Sequence, residues 1–183
     1  VRRTIELRMR LLPYLYTAFA RYHFEGVPPI RSTLLDAANS DLREDNTLFF
    51  VGSDLLAAPF LDREIARKVV LPPGKWFDFH TGRLAGEGTI EVTSEATGDL
   101  PPLFVRDGAL IPVLARASMR TRDARGGELE LRHYGSADGR GRLYEDDSES
   151  YGFTRGESRW RVFGVASGEI RGSRTEGDGP ALW

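Results

Sequence analysis

The chain has 183 residues, of which 40% are apolar and 28% are charged, and its formal net charge is −2. This composition predicts a folded chain of one or two domains, because a chain of this length can bury most of its apolar surface. The small net charge argues against binding to nucleic acid or to a membrane surface through bulk electrostatics. The longest uncharged run, Leu11–Ala20, is too short to cross a bilayer.

The sequence contains no cysteine. Disulfides, thiolate metal ligands and cysteine nucleophiles are therefore excluded. The absence of cysteine favours a reducing compartment such as the cytoplasm. Val1 opens a charged, helix-like stretch, so no secretory signal is expected there.

The first predicted element is a helix over residues 4–24, in which apolar side chains recur at three- and four-residue steps. These side chains are Ile5, Met9, Leu12, Leu15, Phe19 and Tyr22. Pro13 removes a backbone donor, so the helix either kinks there or begins anew. Gly26 and the prolines that follow it predict the end of the element.

From residue 48 onward the chain predicts short strands separated by turn residues, which is typical of an antiparallel β-sandwich. The first group of predicted strands is Leu48–Val51, Asp54–Phe60, Arg67–Leu71, Trp76–Phe79, Thr89–Val92, Leu103–Arg106 and Ala109–Val113. The second group is Glu128–His133, Gly141–Glu145, Tyr151–Thr154, Arg159–Ala166 and Glu169–Arg171. A segment rich in Arg, Ser and Gly over residues 115–127 predicts a linker between the groups, and a frayed tail is predicted from Gly172.

A search for catalytic and cofactor motifs is negative. The nucleophile elbow, the phosphate-binding loop, the dinucleotide fingerprint and the zinc-protease motif are all absent from the sequence. His23, His80 and His133 stand at spacings that no metal motif uses, which favours surface or packed histidines over ligands. The sequence therefore predicts no catalytic residue, no metal site and no cofactor.

Three local clusters have both a functional and a structural interpretation. The acidic run Glu145–Glu149 could gather oxygens around a metal, but an acidic turn capped by its own Asp and Ser side chains is favoured. The aromatic residues Trp76, Phe77 and Phe79 could form a sugar platform, whereas alternation on a half-buried strand favours packing. The loop Arg116–Arg125 could hold an anion, and a solvated loop is the favoured interpretation.

Five segments in order, spanning about residues 10–165, resemble glycoside hydrolase family 31. The first, in two pieces, is similar to the closing helix and strand of its catalytic barrel, the next three to the β-sandwich that follows, and the fifth, also in two pieces, to the start of its distal β domain. In chain order they are Arg10–Tyr16 with Gly26–Arg31; then Phe50–Pro59, Arg67–Gly82 and Pro102–Pro112; then Ala137–Gly139 with Leu143–Tyr151.

The resemblance implies retaining α-glycoside chemistry, in which two carboxylates flank the scissile bond. In the family both are aspartates on earlier barrel strands, and a complete barrel needs about 250 residues. Neither role can therefore be assigned to a residue of this chain, and Arg31 is expected to be structural. Ser32 stands where the family commonly has Pro, and Leu35–Arg43 lacks its acidic-Phe-Pro run. Glucosidase, xylosidase and transglycosylase activities all remain open.

We therefore predict a mainly β chain in four parts. Residues 1–45 are the remnant of a (β/α)₈ barrel, 46–114 a proximal β-sandwich, 115–127 a linker and 128–183 a partial distal β domain. The predicted function is that of a C-terminal accessory region, inactive alone, that supports the barrel of a parent enzyme acting on carbohydrate. Carboxylates such as Asp78 and Glu91 are not expected to lie in a pocket.

Two alternatives belong to other classes of protein: a free-standing carbohydrate-binding β-sandwich, and an interaction module that uses the arginine-rich loop. Neither has a use for the barrel-like segment 4–31. In that segment, the apolar face around Met9, Leu12, Leu15 and Phe19 and the strand around Ile30 are expected to lack their barrel partners. They must therefore pack on the chain's own sandwich or on a second copy. The sequence thus favours self-association into a homo-oligomer through the exposed remnant.

Overall fold

A computed structural model describes residues 1–35, 47–61, 64–98, 100–167 and 169–183. These residues form a mainly β structure with a helical N-terminus, which confirms the predicted fold class. The helices are α1 (Arg2–Arg10), α2 (Leu12–Glu25) and the short α3 (Ser94–Thr97). The strands are β1 (Ile30–Ser32), β2 (Phe49–Val51), β3 (Leu55–Ala57), β4 (Ala66–Val70), β5 (Trp76–Asp78), β6 (Leu84–Gly86), β7 (Thr89–Thr93), β8 (Leu103–Arg106), β9 (Leu110–Leu114), β10 (Leu129–His133), β11 (Gly139–Glu145), β12 (Arg159–Ala166) and β13 (Glu169–Glu176).

The largest sheet holds six antiparallel strands in the order β1-β2-β3-β8-β5-β6. A second, two-stranded sheet joins β4 to β7. Side chains that alternate along the strands fill two apolar cores, one on each face of the large sheet. One core is centred on Phe50, Leu56 and Trp76, and the other on Leu55, Val105 and Ile111.

The C-terminal part contains the pair β9-β10 and the three-stranded sheet β11-β12-β13. Leu110 on β9 packs against Leu143, Phe163 and Val165 of the three-stranded sheet, so the two sheets share a core. On the other face of that sheet, the backbone amide of Tyr144 donates to the hydroxyl of Thr17 on α2 at 3.0 Å. Helix α2 is therefore joined to both β regions.

The N-terminal helix is broken at Leu11, and Pro13 lies in the first turn of α2. Of the two outcomes predicted for Pro13, the structure has the new helix, because proline is tolerated where the backbone N–H has no helical partner. The left-handed Gly26 ends α2, and its N–H donates to the carbonyl of Tyr22 at 3.1 Å.

The N-terminal segment has partners in its own chain: of the two surfaces expected for it, its buried residues use the chain's own β-structure. Met9, Leu11, Tyr14 and Ala18 are buried, and the cluster around Leu11 and Tyr14 includes residues of the large sheet. Strand β1 pairs with β2, Ile30 lying opposite Val51. The helix has a second apolar side that the periodicity did not separate from the other, and this side packs on the β-structure.

Most predicted strands are present, and Leu103–Arg106 and Arg159–Ala166 have the predicted bounds. The strand predicted over Tyr151–Thr154 is wrong, since Gly152–Arg155 forms a 3₁₀ turn. The short strand β6 was missed because a three-residue strand leaves almost no periodic pattern. The tail is not frayed from Gly172, because β13 continues to Glu176 and Leu182 is buried.

Two strand pairs cross the predicted domain boundaries: β1 pairs with β2, and β10 pairs with β9 across the segment 115–127. The boundary at residue 45, like most of the segment Leu35–Arg43, lies outside the described residues. The four-part division therefore stays a prediction. Among the helices that the structure describes, none combines the length and apolar character needed to cross a membrane.

Candidate functional site

The turn between β2 and β3 is held against α2 by one tyrosine. The hydroxyl of Tyr14 donates to the carbonyl of Val51 at 2.8 Å and accepts from the backbone amides of Asp54 and Leu55 at 2.9 and 3.3 Å. Burial raises the pKa of Tyr14 well above its ordinary value, so the hydroxyl keeps its proton. These hydrogen bonds hold the β2–β3 turn against helix α2.

Gly52 lies in this turn with a positive φ of 65°. A Cβ atom built on Gly52 would lie 2.5 Å from the Tyr14 hydroxyl oxygen and 2.6 Å from the ring. Only glycine combines this backbone conformation with so close an approach. The sequence indicates a turn at Gly52, because this glycine stands between two apolar segments of strand length.

Arginine side chains surround the same turn. Arg31 of β1 donates to the carbonyl of Gly52, and Arg21 of α2 donates to the hydroxyl of Ser53. The guanidinium of Arg31 also lies 5.0 Å from the centre of the Phe50 ring, and the guanidinium of Arg106 lies 5.1 Å from the same centre. The basic residues therefore tie β1 and α2 to the turn.

The carboxylate of Asp54 lies among these cations. Burial raises its pKa, and the charges of Arg106, Arg21 and Arg31 act against that rise. Its carboxylate oxygens accept no hydrogen bond from the residues that the structure describes. Beside it is a cavity of about 250 Å³ between α2, the turn and the strands β9 and β11.

The acidic run Glu145–Glu149 forms a turn, but not a wholly solvated one. Asp147 accepts from the backbone amides of Glu149 and Ser150, and the hydrogen bonds from Ser150 lower the pKa of Asp147 to about 2. This confirms the capped-turn interpretation for Asp147.

The two carboxylates that precede Asp147 are buried, which the sequence did not predict. The carboxylate of Glu145 has no solvent exposure and accepts from Arg159 at 2.8 Å and from the backbone amides of Leu182 and Trp183. Asp146 accepts from the hydroxyl of Tyr16 at 2.6 Å. Glu145 thus anchors the C-terminal tail.

The three aromatic residues considered as a sugar platform are packed. Trp76 is fully buried, and its indole N–H donates to the carbonyl of Pro72 at 2.8 Å. Phe79 is 3% exposed and stacks on Tyr134 with ring centres 5.8 Å apart. Phe77 is partly buried against the same core. The packing interpretation is confirmed.

The remaining candidate residues are dispersed. The ring nitrogens of His80 and His133 lie 3.0 and 3.2 Å from backbone carbonyl oxygens, while His23 lies between two phenylalanine rings. Asp78 caps its own turn through Thr81, and Glu91 is exposed on β7 opposite Lys68. In the described part of the chain, no three His, Asp or Glu side chains converge as metal ligands would.

The loop Arg116–Arg125 is not only solvated. Arg125 donates to the hydroxyl of Ser148 at 2.9 Å and forms an ion pair with Glu149 at 2.9 Å. The loop is thereby tied to the acidic turn, and Ala124 within it is buried. This internal ion pair gives the arginine a partner that the sequence did not predict.

The helices also carry large apolar side chains that are exposed in the described part of the chain. Ile5, Phe19 and Tyr22 are 55%, 57% and 56% exposed; we call them the outer stripe. The buried Met9, Leu11, Tyr14 and Ala18 form the inner stripe. Beside Phe19 is an apolar cleft of about 200 Å³ between α2 and the acidic turn, lined by Tyr16, His23, Phe24 and Phe153 among others.

The sequence model of the glycosyl hydrolase family 31 C-terminal domain matches residues 26–111. The alpha-xylosidase of Saccharolobus solfataricus is 31% identical over 157 residues, which are 84% of this chain and 21% of that protein. Alpha-glucosidase 2 of Bacillus thermoamyloliquefaciens is 28% identical over 179 residues, 92% of this chain and 22% of that protein.

Solved structures extend the likeness to the whole fold. The family 31 alpha-xylosidase of Xanthomonas citri superposes with a TM-score of 0.83 and 28% identity, over 97% of this chain and 20% of that one. The family 31 dextranase of Flavobacterium johnsoniae, solved as a variant with isomaltotriose, gives a TM-score of 0.83 and 29% identity. The chain thus spans about a fifth of the length of the relatives it matches.

Proposed function

The chain belongs to the C-terminal part of glycosyl hydrolase family 31, and on this premise we propose that it supports the catalytic barrel of a retaining α-glycoside hydrolase and has no hydrolytic activity alone. The observation that carries the proposal is the N-terminal helical segment with two apolar sides. Its inner stripe packs on the β-structure, and its outer stripe remains available for a partner.

The outer stripe is suited to bind a partner, because its apolar side chains are exposed. Burying a large apolar side chain contributes roughly 1.5–3 kcal/mol, so three exposed side chains in one helical segment give a partner a substantial gain. The relatives carry about four fifths of their length outside the matched region. We assign the partner of the outer stripe to that missing part, with the barrel as its expected element.

The described carboxylates are consistent with a supporting role. Retaining hydrolysis needs two carboxyl groups about 5–5.5 Å apart around the sugar. Glu145 and Asp146 are engaged by Arg159 and Tyr16, and Asp78 and Asp147 cap turns. We assign the nucleophile and the acid to the part of the parent that precedes this chain.

The activities of the relatives suggest the substrate class of the whole protein. They include alpha-glucosidase, alpha-xylosidase and dextranase, and the dextranase was solved with isomaltotriose. We propose α-linked glucosides or xylosides, bound through the parent enzyme.

The test is complementation of a relative. The alpha-xylosidase of Saccharolobus solfataricus, shortened by the segment that this chain matches, is expected to recover xylosidase activity when this chain is fused in its place. Phe19→Asp with Tyr22→Asp in the fused chain should abolish the recovery, because two charges would enter the interface. Met119→Asp is the matched control, since Met119 is 95% exposed on a distant loop. Recovery that survives the double substitution would contradict the proposal.

The chain alone gives the complementary test. It should not release nitrophenol from nitrophenyl α-glucoside or α-xyloside above the buffer rate. Turnover that disappears when one carboxylate of this chain is substituted would overturn the supporting role. Micromolar binding of maltose by the chain would instead favour the carbohydrate-binding module.

In the isolated chain, a second copy is an available occupant of the outer stripe. We propose that light scattering after size exclusion will show a dimer at high micromolar concentration, because the apolar side chains then cover one another. Phe19→Asp should return the monomer, and Met119→Asp should not. A monomeric wild-type chain at these concentrations would exclude self-association.

A further inference from the structure

The cleft beside Phe19 is lined mainly by aromatic rings. It lies between α2 and the acidic turn and has a volume of about 200 Å³. The faces of aromatic rings carry negative potential and attract cations that lie within about 6 Å of the ring centre. Five rings follow one another here with neighbouring centres between 4.7 and 5.8 Å apart, in the order Phe153, His23, Phe24, Tyr144 and Tyr16. A cleft lined in this way is suited to an organic cation.

A buried carboxylate adds a negative charge to the cleft. Asp146 is 4% exposed and is one of the lining residues. Its Oδ1 atom accepts from the hydroxyl of Tyr16 at 2.6 Å and from the backbone amide of Ser148 at 2.7 Å. Burial is the main cause of the raised pKa of Tyr16 and Tyr144, and the charges of Asp146 and Asp147 raise the pKa of both further. The donors to Asp146 are therefore neutral and leave its charge uncompensated.

The two glutamates of the acidic turn differ from Asp146, because each has an arginine partner. Glu145 pairs with Arg159 at 2.8 Å, and Glu149 pairs with Arg125 at 2.9 Å. In the part of the chain that the structure describes, no Arg, Lys or His nitrogen lies within ion-pair distance of Asp146, and the cleft is lined by neither Arg nor Lys. A buried carboxylate without a cation is costly. A cation bound in the cleft would offset this cost.

We infer that this cleft is a binding site for a small quaternary ammonium ion, with its alkyl groups against the aromatic rings and its charge near Asp146. A primary ammonium has three N–H donors and a guanidinium has five, but the Oδ1 atom of Asp146 already accepts two hydrogen bonds. A quaternary ammonium has no N–H group that needs an acceptor. The inference goes beyond the proposed function, because residues of this chain alone form the cleft.

The experiment is NMR titration of the full chain with choline, at a chain concentration too low for self-association. The pH is 8, above the usual titration range of imidazole. Contacts with several rings and one carboxylate predict a dissociation constant of about 1 mM, with shifts in the amides of residues 16–24 and 144–153. The neutral isostere 3,3-dimethylbutan-1-ol and the primary amine ethanolamine should each bind about tenfold more weakly, since one lacks the charge and the other carries N–H donors.

Two variants separate the charge from the rings. Asp146→Asn keeps an acceptor for Tyr16 but removes the charge, and it should weaken choline binding about tenfold. Asp147→Asn is the matched control, because Asp147 is the adjacent carboxylate and does not line the cleft; its effect should stay below about twofold. Phe24→Leu should weaken choline binding about threefold and leave binding of the neutral isostere unchanged. Phe24 is 46% exposed, so this variant tests the site even if Asp146→Asn does not fold.

Four results would overturn the inference. The first is an absence of shifts at choline concentrations well above the expected dissociation constant. The second is equal binding of choline and its neutral isostere, which would make the cleft merely apolar. The third is tighter binding of ethanolamine than of choline, and the fourth is choline binding that Phe24→Leu leaves unchanged. Complementation reports on the outer stripe and uses no ammonium ligand, so failure of one proposal is distinguishable from failure of the other.

Discussion

The inner and outer stripes of the N-terminal helical segment are both apolar, yet only one is covered. Tyr14 of the inner stripe is 6% exposed, whereas Phe19 and Tyr22 of the outer stripe are 57% and 56% exposed. Ala18 of the inner stripe and the neighbouring Thr17 are small and buried, and the Thr17 hydroxyl accepts a hydrogen bond from the backbone of β11, so the helix lies close to that strand. Of the apolar positions in the sequence pattern, Met9 is buried and Leu15 packs against the core, whereas Phe19 and Tyr22 are exposed. The periodicity alone therefore does not separate the side chains that hold the helix to its own chain from those that do not.

The largest effect is expected from Tyr14→Ala. Removing a buried aromatic ring costs about 3–5 kcal/mol, and here the backbone amides of Asp54 and Leu55 also lose their acceptor. The midpoint of chemical denaturation should fall accordingly. Tyr22→Ala is the control on the outer stripe and should leave the midpoint nearly unchanged. Equal losses for the two substitutions would contradict the distinction between the stripes.

A smaller loss is expected from Gly52→Ala. An alanine at a φ of 65° is strained, and its Cβ would lie within 2.7 Å of the Tyr14 side chain. We expect a loss of about 2 kcal/mol in the free energy of unfolding. Gly26→Ala separates the two causes, because Gly26 has a similar φ of 72° and open space around its Cβ position. The thermal midpoint of Gly52→Ala should therefore lie below that of Gly26→Ala.

The ion pairs of Glu25, which join α2 to β11 through Arg142, predict that the free energy of unfolding depends on pH. Burial acts to raise the pKa of Glu25, but the hydrogen bonds from Arg21 and Arg142 outweigh it, and the pKa is lowered below the ordinary 4.5. The ionised Glu25 carboxylate therefore stabilises the folded chain above pH 4.5, and this contribution is lost as the pH falls through the folded-state pKa of Glu25.

Glu25→Gln should lower stability at pH 7 by less than about 1 kcal/mol, as is typical of partly exposed ion pairs. The difference from the wild type should vanish in acid, which thermal unfolding from pH 7 to pH 3 would measure. Glu6→Gln is the control, because among the described residues Glu6 pairs with Arg2 alone, and the Arg2 side chain is 92% exposed. A difference in stability between Glu25→Gln and the wild type that persists at pH 3 would contradict this dependence on the ionisation of Glu25.

The smallest effect is expected from Phe19→Asp in the isolated chain. At dilute concentration its stability should change by no more than about 0.5 kcal/mol, because the side chain is exposed. Combined with Tyr22→Asp, the same substitution should abolish complementation of the relative. A large loss of stability in the isolated monomer would mean that Phe19 is needed within the chain.

Several features followed from the sequence alone. Strand-length apolar segments between Gly and Pro residues predicted the β-rich fold, and local hydrogen bonding explains why Asp147 could be predicted as a turn cap. The proline near the start of α2 and the glycine at its end marked that helix, because both act through the backbone within a few residues. The ordered segments also identified the family.

Other features depend on residues far apart in the chain, and only the tertiary structure decided them. Glu145 is buried because Arg159 and the amides of Leu182 and Trp183 meet it there. Asp54 and Arg140, 86 positions apart, line one cavity because α2 brings the turn and β11 together. Periodicity predicts that a side of a helix is apolar, but which side packs on its own sheets is decided by shape: the small residues of α2 permit the close approach that Phe19 and Tyr22 would prevent.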